Sequence, residues 1–252
     1  MLKVRLIPTL LWKDVGLVKG TGFDSWRRVG TVLPAIKVYN TRDVDELILL
    51  DIAATPEERD LDYDSVEEFT SECFVPLTVG GGVDTIEKVQ TLLQCGADKV
   101  TINTAAYVNP QLITDAANRF GSQCIVASID AKKISGGSYE CMSHCGTRRQ
   151  TISPSDWAKR LEELGAGEIL ITSVERDGTL QGYDLDLIRQ VTDSVSLPVI
   201  ASGGAGKPED FYQAVSQSNA SAVAAASVFH FTELTPAESK SYLADKGIPV
   251  RK

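Results

Sequence analysis

Eight short apolar runs punctuate the chain, near residues 4–10, 47–52, 75–79, 98–102, 123–129, 168–172, 197–201 and 221–225. Most are rich in Val, Ile and Leu without polar alternation, the pattern of strands buried on both faces. Helix-like segments lie between them, near 31–42, 64–72, 85–94, 109–120, 154–166, 184–194 and 207–216, with a last one near 235–245. Ser153-Pro154 and Asn109-Pro110 each supply a helix start with proline at the first helical position. Eight strands alternating with eight helices, without a long linker, predict an α/β fold of the (βα)8 TIM-barrel type, with a doubly wound open sheet as the rival.

The chain also repeats itself. Val75-Pro76-Leu77-Thr78-Val79-Gly80-Gly81-Gly82 reappears as Leu197-Pro198-Val199-Ile200-Ala201-Ser202-Gly203-Gly204, an offset of 122 residues. Arg5 to Lys13 matches Cys124 to Lys132 at an offset of 119. Half-repeats of about 1–120 and 121–252 fused into one domain favour the barrel, because four-plus-four units close on themselves. In the second register Asp130 falls opposite Leu11, so an expected pair of carboxylates has one member. Two strand-to-helix connections are long. One runs from about Trp12 to Gly30 and is a candidate mobile lid. The other, about 131–153, contains Ser135-Gly136-Gly137-Ser138 and suits a small hairpin at the active-site face.

Composition narrows the function. A chain of 252 residues buries about three-quarters of its unfolded surface, so it needs no disulfides. A formal charge of −9 argues against nucleic acid or an anionic membrane as the main partner, while leaving room for a local phosphate site. No apolar run is long enough to span a bilayer. The start, Met1 to Leu6, runs into a strand pattern without signal-peptide architecture, so a cytoplasmic location is expected. Cys73, Cys95 and Cys124 read as reduced core residues. Cys141, His144 and Cys145 form C-x-x-H-C, an incomplete metal set that reads as loop residues. Neither a metal nor a cofactor is expected.

Candidate chemistry gathers at strand ends. Val79-Gly80-Gly81-Gly82 and Ser202-Gly203-Gly204-Ala205-Gly206 each follow a strand and precede a helix, where backbone N–H groups approach an anion. Asn103-Thr104-Ala105 and Ala226-Ser227 follow one unit later in each half. Together they outline two phosphate cradles: Gly81, Gly82, Asn103 and Thr104 in one half, Gly203, Gly204, Ala226 and Ser227 in the other. Two cradles suggest a substrate with two phosphates, or descent from a protein that takes such a substrate. Asp51, Asp130 and Asp177 end strands at the same mouth, with Gly178 following Asp177. Carboxylates there read as catalytic or substrate-orienting. Asp51 is equally well read as a loop-organising residue, and Asp177-Gly178 also fits a turn. Asp130 is the acid/base candidate. Lys19 on the first loop is placed to contact an anionic substrate. At the opposite end, Arg5, Glu46, Lys99 and Glu168 stand at strand starts and read by themselves as a salt-bridge network.

These stretches, with Leu17 to Thr21, Asp45-Glu46-Leu47, Gly96-Ala97-Asp98-Lys99, Phe120 to Gln123, Ile129 to Lys132, Gly165 to Leu170, Arg176 to Thr179, Gly182-Tyr183-Asp184, Ala201 to Lys207 and Ala226 to His230, make the chain resemble the HisF family over essentially its whole length. HisF is the cyclase subunit of imidazole glycerol phosphate synthase in histidine biosynthesis. The resemblance implies a HisH-like glutaminase docked on the N-terminal face, near Asp45 and Asp98. It implies an ammonia gate of Arg5, Glu46, Lys99 and Glu168, and ammonia passing up the barrel. It also implies a cyclisation run by two aspartates, of which Asp130 matches one. The other falls at Leu11, which cannot transfer a proton. With Trp12 beside it, Leu11 suggests a less polar pocket.

This combination resembles a HisF-like branch of bacterial surface-sugar pathways. There the barrel and a HisH-like glutaminase supply ammonia to a separate sugar amidotransferase, which converts an N-acetyl to an acetamidino group on a phosphorylated small-molecule or sugar substrate. A working cyclase with another group replacing the missing aspartate is the alternative. A non-catalytic ammonia duct or glutaminase-activating scaffold is a third reading.

Overall fold

A computed structural model describes residues 3–251. Its strands are β1 Arg5–Lys13, β2 Gly16–Thr21, β3 Asp24–Gly30, β4 Leu47–Asp51, β5 Leu77–Gly80, β6 Lys99–Ile102, β7 Ile125–Lys133, β8 Tyr139–Ser143, β9 Arg148–Arg149, β10 Glu168–Ser173, β11 Val199–Ser202 and β12 Ala222–Ala225. Its helices are α1 Val32–Asn40, α2 Tyr63–Ser71, α3 Ile86–Gln94, α4 Thr104–Val108, α5 Gln111–Phe120, α6 Pro154–Glu163, α7 Leu185–Thr192, α8 Pro208–Ser218, α9 Ser227–Phe231 and α10 Pro236–Asp245. Eight parallel strands pair in the order β10-β11-β12-β1-β4-β5-β6-β7, and β7 pairs back to β10. The sheet is closed, so the barrel stands and the open-sheet rival falls.

Closure follows from side-chain parity. Arg5, Ile7, Thr9 and Leu11 share one face of β1, and the strand period of two turns them all inward. Leu6, Leu10 and Trp12 turn outward onto the helices and belong to the large outer core. Ile7, Ile48, Val126, Leu170, Ile200, Ala222 and Ala224 form a separate apolar cluster that fills the middle of the barrel. The helices lay their apolar stripes on the outer strand faces, with Ile36, Val66, Leu92, Ile113, Leu161, Val191 and Phe211 all under 1% exposed. Side-chain caps fix several starts: Asp62, Thr85, Ser153, Asp184 and Thr235 each accept a backbone N–H of the first turn. Pro154 is the first residue of α6, as expected. Pro110 instead sits at the cap of α5, one residue before the helix.

The connection after β1 is an antiparallel hairpin, β2 with β3. Its tip is tied to the barrel by the Gly22 N–H, which donates to Asp177 O at 2.9 Å. The connection after β7 is a second hairpin, as the Ser-Gly-Gly-Ser turn implied, with β7 pairing β8 and β8 pairing β9. Both hairpins rise from the C-terminal ends of the strands. No helix among the described residues is long and apolar enough to cross a membrane.

Candidate functional site at the barrel mouth

The C-terminal ends of the strands enclose a cavity of about 590 Å³. Leu11, Asp51, Gly81, Gly82, Asn103, Thr104, Asp130, Asp177, Gly178, Gly203, Gly204, Ala226 and Ser227 all line it. The strand order puts β1 diametrically across from β7, β5 across from β11 and β6 across from β12. The two glycine runs therefore face each other, and Leu11 faces the side that carries Asp130.

The glycines are required by geometry. Gly81 has φ 110°, and a Cβ there would lie 2.1 Å from Asp51 O. Gly204 has φ 109°, and a Cβ would lie 2.3 Å from Gly182 O. A side chain at either position collides with backbone, so each run holds an open, side-chain-free shelf. Short helices α4 and α9 begin at Thr104 and Ser227, beside these shelves.

Asp130 is 8% exposed and accepts a hydrogen bond from Asn103 Nδ2 at 2.7 Å. Burial, reinforced by the charge of Asp177 and opposed by the Asn103 hydrogen bond, raises its pKa from 3.8 to about 7. A carboxyl poised there can both give and take a proton near neutrality. Asp177 is also raised by burial, against the pull of Lys19, and its Oδ2 has no hydrogen-bond partner among the described residues. Lys19 is 3% exposed, and burial lowers its pKa to about 8 despite Asp177. It lies outside the cavity lining, and its charge interacts with that of Asp177.

Asp51 takes the loop-organising role. Its carboxylate accepts from the Ala53 and Ala54 N–H groups at 3.0 and 3.1 Å, and from Arg59 Nη1 and Nη2 at 2.7 and 3.0 Å. Both oxygens are engaged in holding the loop after β4.

Trp12 corrects the expectation of a tryptophan in the pocket. It faces outward, 4% exposed, and packs edge-on against Phe69 of α2 at 5.4 Å. The aromatic groups at the mouth are Phe23 and Trp26, carried in by the β2–β3 hairpin. Sequence reasoning passed over Arg59 and Lys88 and read His144 as a loop residue, and all three line the same cavity. Cys141 is fully buried and Cys145 Sγ donates to Ile52 O at 3.3 Å. No cluster of three or more metal-ligating side chains occurs among the described residues.

The other end of the barrel carries a closed ring of ion pairs. Arg5 reaches Glu46 Oε1 at 2.9 Å and also contacts Glu168. Lys99 Nζ lies 3.0 Å from both Glu46 Oε2 and Glu168 Oε2. All four share the inward parity of their strands, so the ring lies across the barrel axis below the apolar cluster. Burial lowers the Arg5 pKa, but Glu168 and Glu46 more than offset it. Burial raises Glu46, and Arg5 with Lys99 brings it below its ordinary value. Asp98 is exposed and accepts from Leu77 N at 2.8 Å. Asp45 stands next to Glu46 of the ring in the chain. It is 5% exposed, accepts from Leu6 N at 2.8 Å and pairs with buried Lys240 at 2.9 Å. Its carboxylate is consumed inside the subunit, where it anchors α10 to the first strand.

Closed eight-stranded topology, paired glycine shelves and strand-end aspartates define a (βα)8 barrel with a cavity at its C-terminal mouth. A family model described as histidine biosynthesis protein matches residues 5–235, and the chain belongs to that family. Its HisF-like character agrees with the resemblance read from the motifs.

Proposed function

We propose that this barrel is a HisF-like synthase subunit that receives ammonia from a HisH-like glutaminase and no longer runs the family's cyclisation. The observation that carries the reading is the asymmetry across the mouth. Asp130 is buried and tuned for proton transfer, and the strand opposite presents Leu11, a side chain with no ionisable group. Asp14, the nearest carboxylate in sequence, is exposed on the turn after β1.

Support for ammonia passage comes from the interior. The four-charge ring lies across the lower opening, and an apolar column separates it from the mouth. Neutral ammonia enters such a column far more readily than ammonium, because an unpaired ion in an apolar interior is heavily penalised. Passage requires one ion pair of the ring to open. The acceptor in this reading is an N-acetyl sugar: a separate amidotransferase transfers a phosphoryl or nucleotidyl group from a nucleoside triphosphate to the amide oxygen, ammonia adds to the carbon, and the oxygen leaves with that group as the amidine forms.

A second reading has its own observation. Asp177 lines the cavity with an oxygen that has no hydrogen-bond partner among the described residues, and its charge acts on Asp130. The two carboxyls make a substitute acid/base pair for a retained cyclase. Reconstitution with the glutaminase and the sugar amidotransferase separates the readings. Glutamine-dependent amidine formation without imidazole formation is the expected outcome, and imidazole formation supports the second reading.

A further inference from the structure

We propose that His144 is a binding residue of the first cradle, donating its Nε2–H to a phosphate held by Gly81, Asn103 and Thr104. The inference rests on the reading of those residues as an anion site. It deepens that reading by assigning a side chain that C-x-x-H-C left without a role.

The turn between β8 and β9 brings His144 over the mouth. His144 has φ 50° and Cys145 φ 53°, so two consecutive non-glycine residues occupy the left-handed region. Such a conformation persists only where its surroundings hold it. Here the His144 N–H donates to Thr104 Oγ1 at 3.0 Å, and Cys145 Sγ donates to Ile52 O at 3.3 Å. The first contact ties the turn to the cradle itself. Because Thr104 Oγ1 accepts from the turn, its own proton remains available to the cavity.

A side-chain relay fixes the ring. Gln150 Nε2 donates to Ser143 Oγ at 2.7 Å, and Ser143 Oγ lies 2.9 Å from His144 Nδ1. Ser143 is fully buried. This buried hydroxyl, accepting from the amide, still has one proton to place, and among the described residues Nδ1 is the acceptor within reach of it. In the neutral ring Nδ1 is then the acceptor and Nε2 carries the hydrogen. Burial first, then Arg148, lowers the His144 pKa from its ordinary 6.5, against the opposite effect of Glu58, so the neutral form is favoured. His144 lines the cavity with Gly81, Asn103 and Thr104. A backbone shelf, a hydroxyl proton and an imidazole N–H converging there suit an acceptor-only ligand, and a phosphomonoester has that chemistry.

Long-range ¹H–¹⁵N spectra of the full chain, titrated with inorganic phosphate, test the proposal. His144→Gln assigns the ring signals against those of His230. The expected result is an Nε2–H tautomer whose signal moves with phosphate, together with the Asn103 and Thr104 amides. Calorimetry should show His144→Ala binding phosphate at least tenfold more weakly, the usual size of one hydrogen bond to a charged group. His144→Gln, whose amide N–H reaches a similar place, should stay within about threefold. If His144→Ala fails to fold, Ser143→Ala carries the test, because it frees the tautomer without touching the turn backbone. An Nδ1–H tautomer, or unchanged affinity in His144→Ala, overturns the proposal and leaves the cradle reading intact. Phosphate perturbing only Ala226 and Ser227 overturns it too. Absence of any phosphate response in the unmodified protein overturns the cradle reading itself, and the proposal with it.

Discussion

Replacing Asp130 by asparagine is expected to stabilise the protein at high pH and to leave it unchanged at low pH. The carboxyl is raised from 3.8 to about 7, chiefly by burial. A raised folded-state pKa means that the native state binds the proton more tightly than the unfolded chain. The protein therefore suffers no penalty below about pH 4, and the penalty grows as pH rises through the window from about 4 to 7. At about 1.4 kcal/mol per pH unit the full gap is about 4 kcal/mol. Water in the cavity screens part of it, so a gain of roughly 2–4 kcal/mol is expected for Asp130→Asn above pH 8. The substitution keeps the volume, and the new amide oxygen still accepts from Asn103 Nδ2. Urea unfolding of both proteins at intervals from pH 4 to 9 measures the difference directly. Curves that coincide at pH 4 and diverge steadily to pH 8 support the assignment. Equal stability of the two proteins at pH 8 would refute it, because the carboxyl would then lie in a water-like environment and have no special fitness for proton transfer.

Other expectations concern neighbouring parts of the molecule. Leu11→Asp should restore measurable cyclase turnover if only that proton transfer was lost, since a positioned acid or base contributes about 10²–10⁴-fold; no gain with substrate still bound would implicate the Phe23 and Trp26 hairpin as well. Trp12→Ala should cost about 3–5 kcal/mol in urea unfolding through lost packing on Phe69, with phosphate binding unchanged by calorimetry. Lys99→Met should lower stability by about 1–3 kcal/mol, because Glu46 and Glu168 keep only Arg5 as partner, and adding Glu46→Gln should recover part of the loss.

The barrel was legible because its strands are short apolar runs bounded by turns. Each of the eight barrel strands overlaps a run read from the sequence, and β1 and β7 extend further only where they continue into hairpins. The glycine runs were legible for a related reason, since a strand followed by glycines and a helix has few structural uses. Trp12 shows what pattern alone obscures. Strand parity turns Leu11 inward and Trp12 outward, and treating the pair as one feature of the mouth ignored that alternation. Asp45 and Asp51 look like surface or ligand groups in sequence, but their partners, Lys240 and Arg59, are chosen by tertiary packing. Helices α4 and α9, five residues each, lack the length to show a period. The hairpin aromatics Phe23 and Trp26 lie in the segment read as a lid, but its polar and glycine-rich composition did not single them out as cavity-lining residues. His144 stood in view inside a C-x-x-H-C motif that read as loop residues, and its place in the cavity lining depends on a hairpin turn and a Gln150–Ser143 relay that spacing does not show.

The most direct test of the central claim is an ammonia-dependent cyclase assay on the isolated subunit, with the two-phosphate aminoimidazole precursor and saturating ammonium salt. The account predicts no turnover while the precursor still binds, because the strand opposite Asp130 presents Leu11. Turnover at the rate of an ordinary enzyme would contradict it and assign the second proton transfer to another group at the mouth.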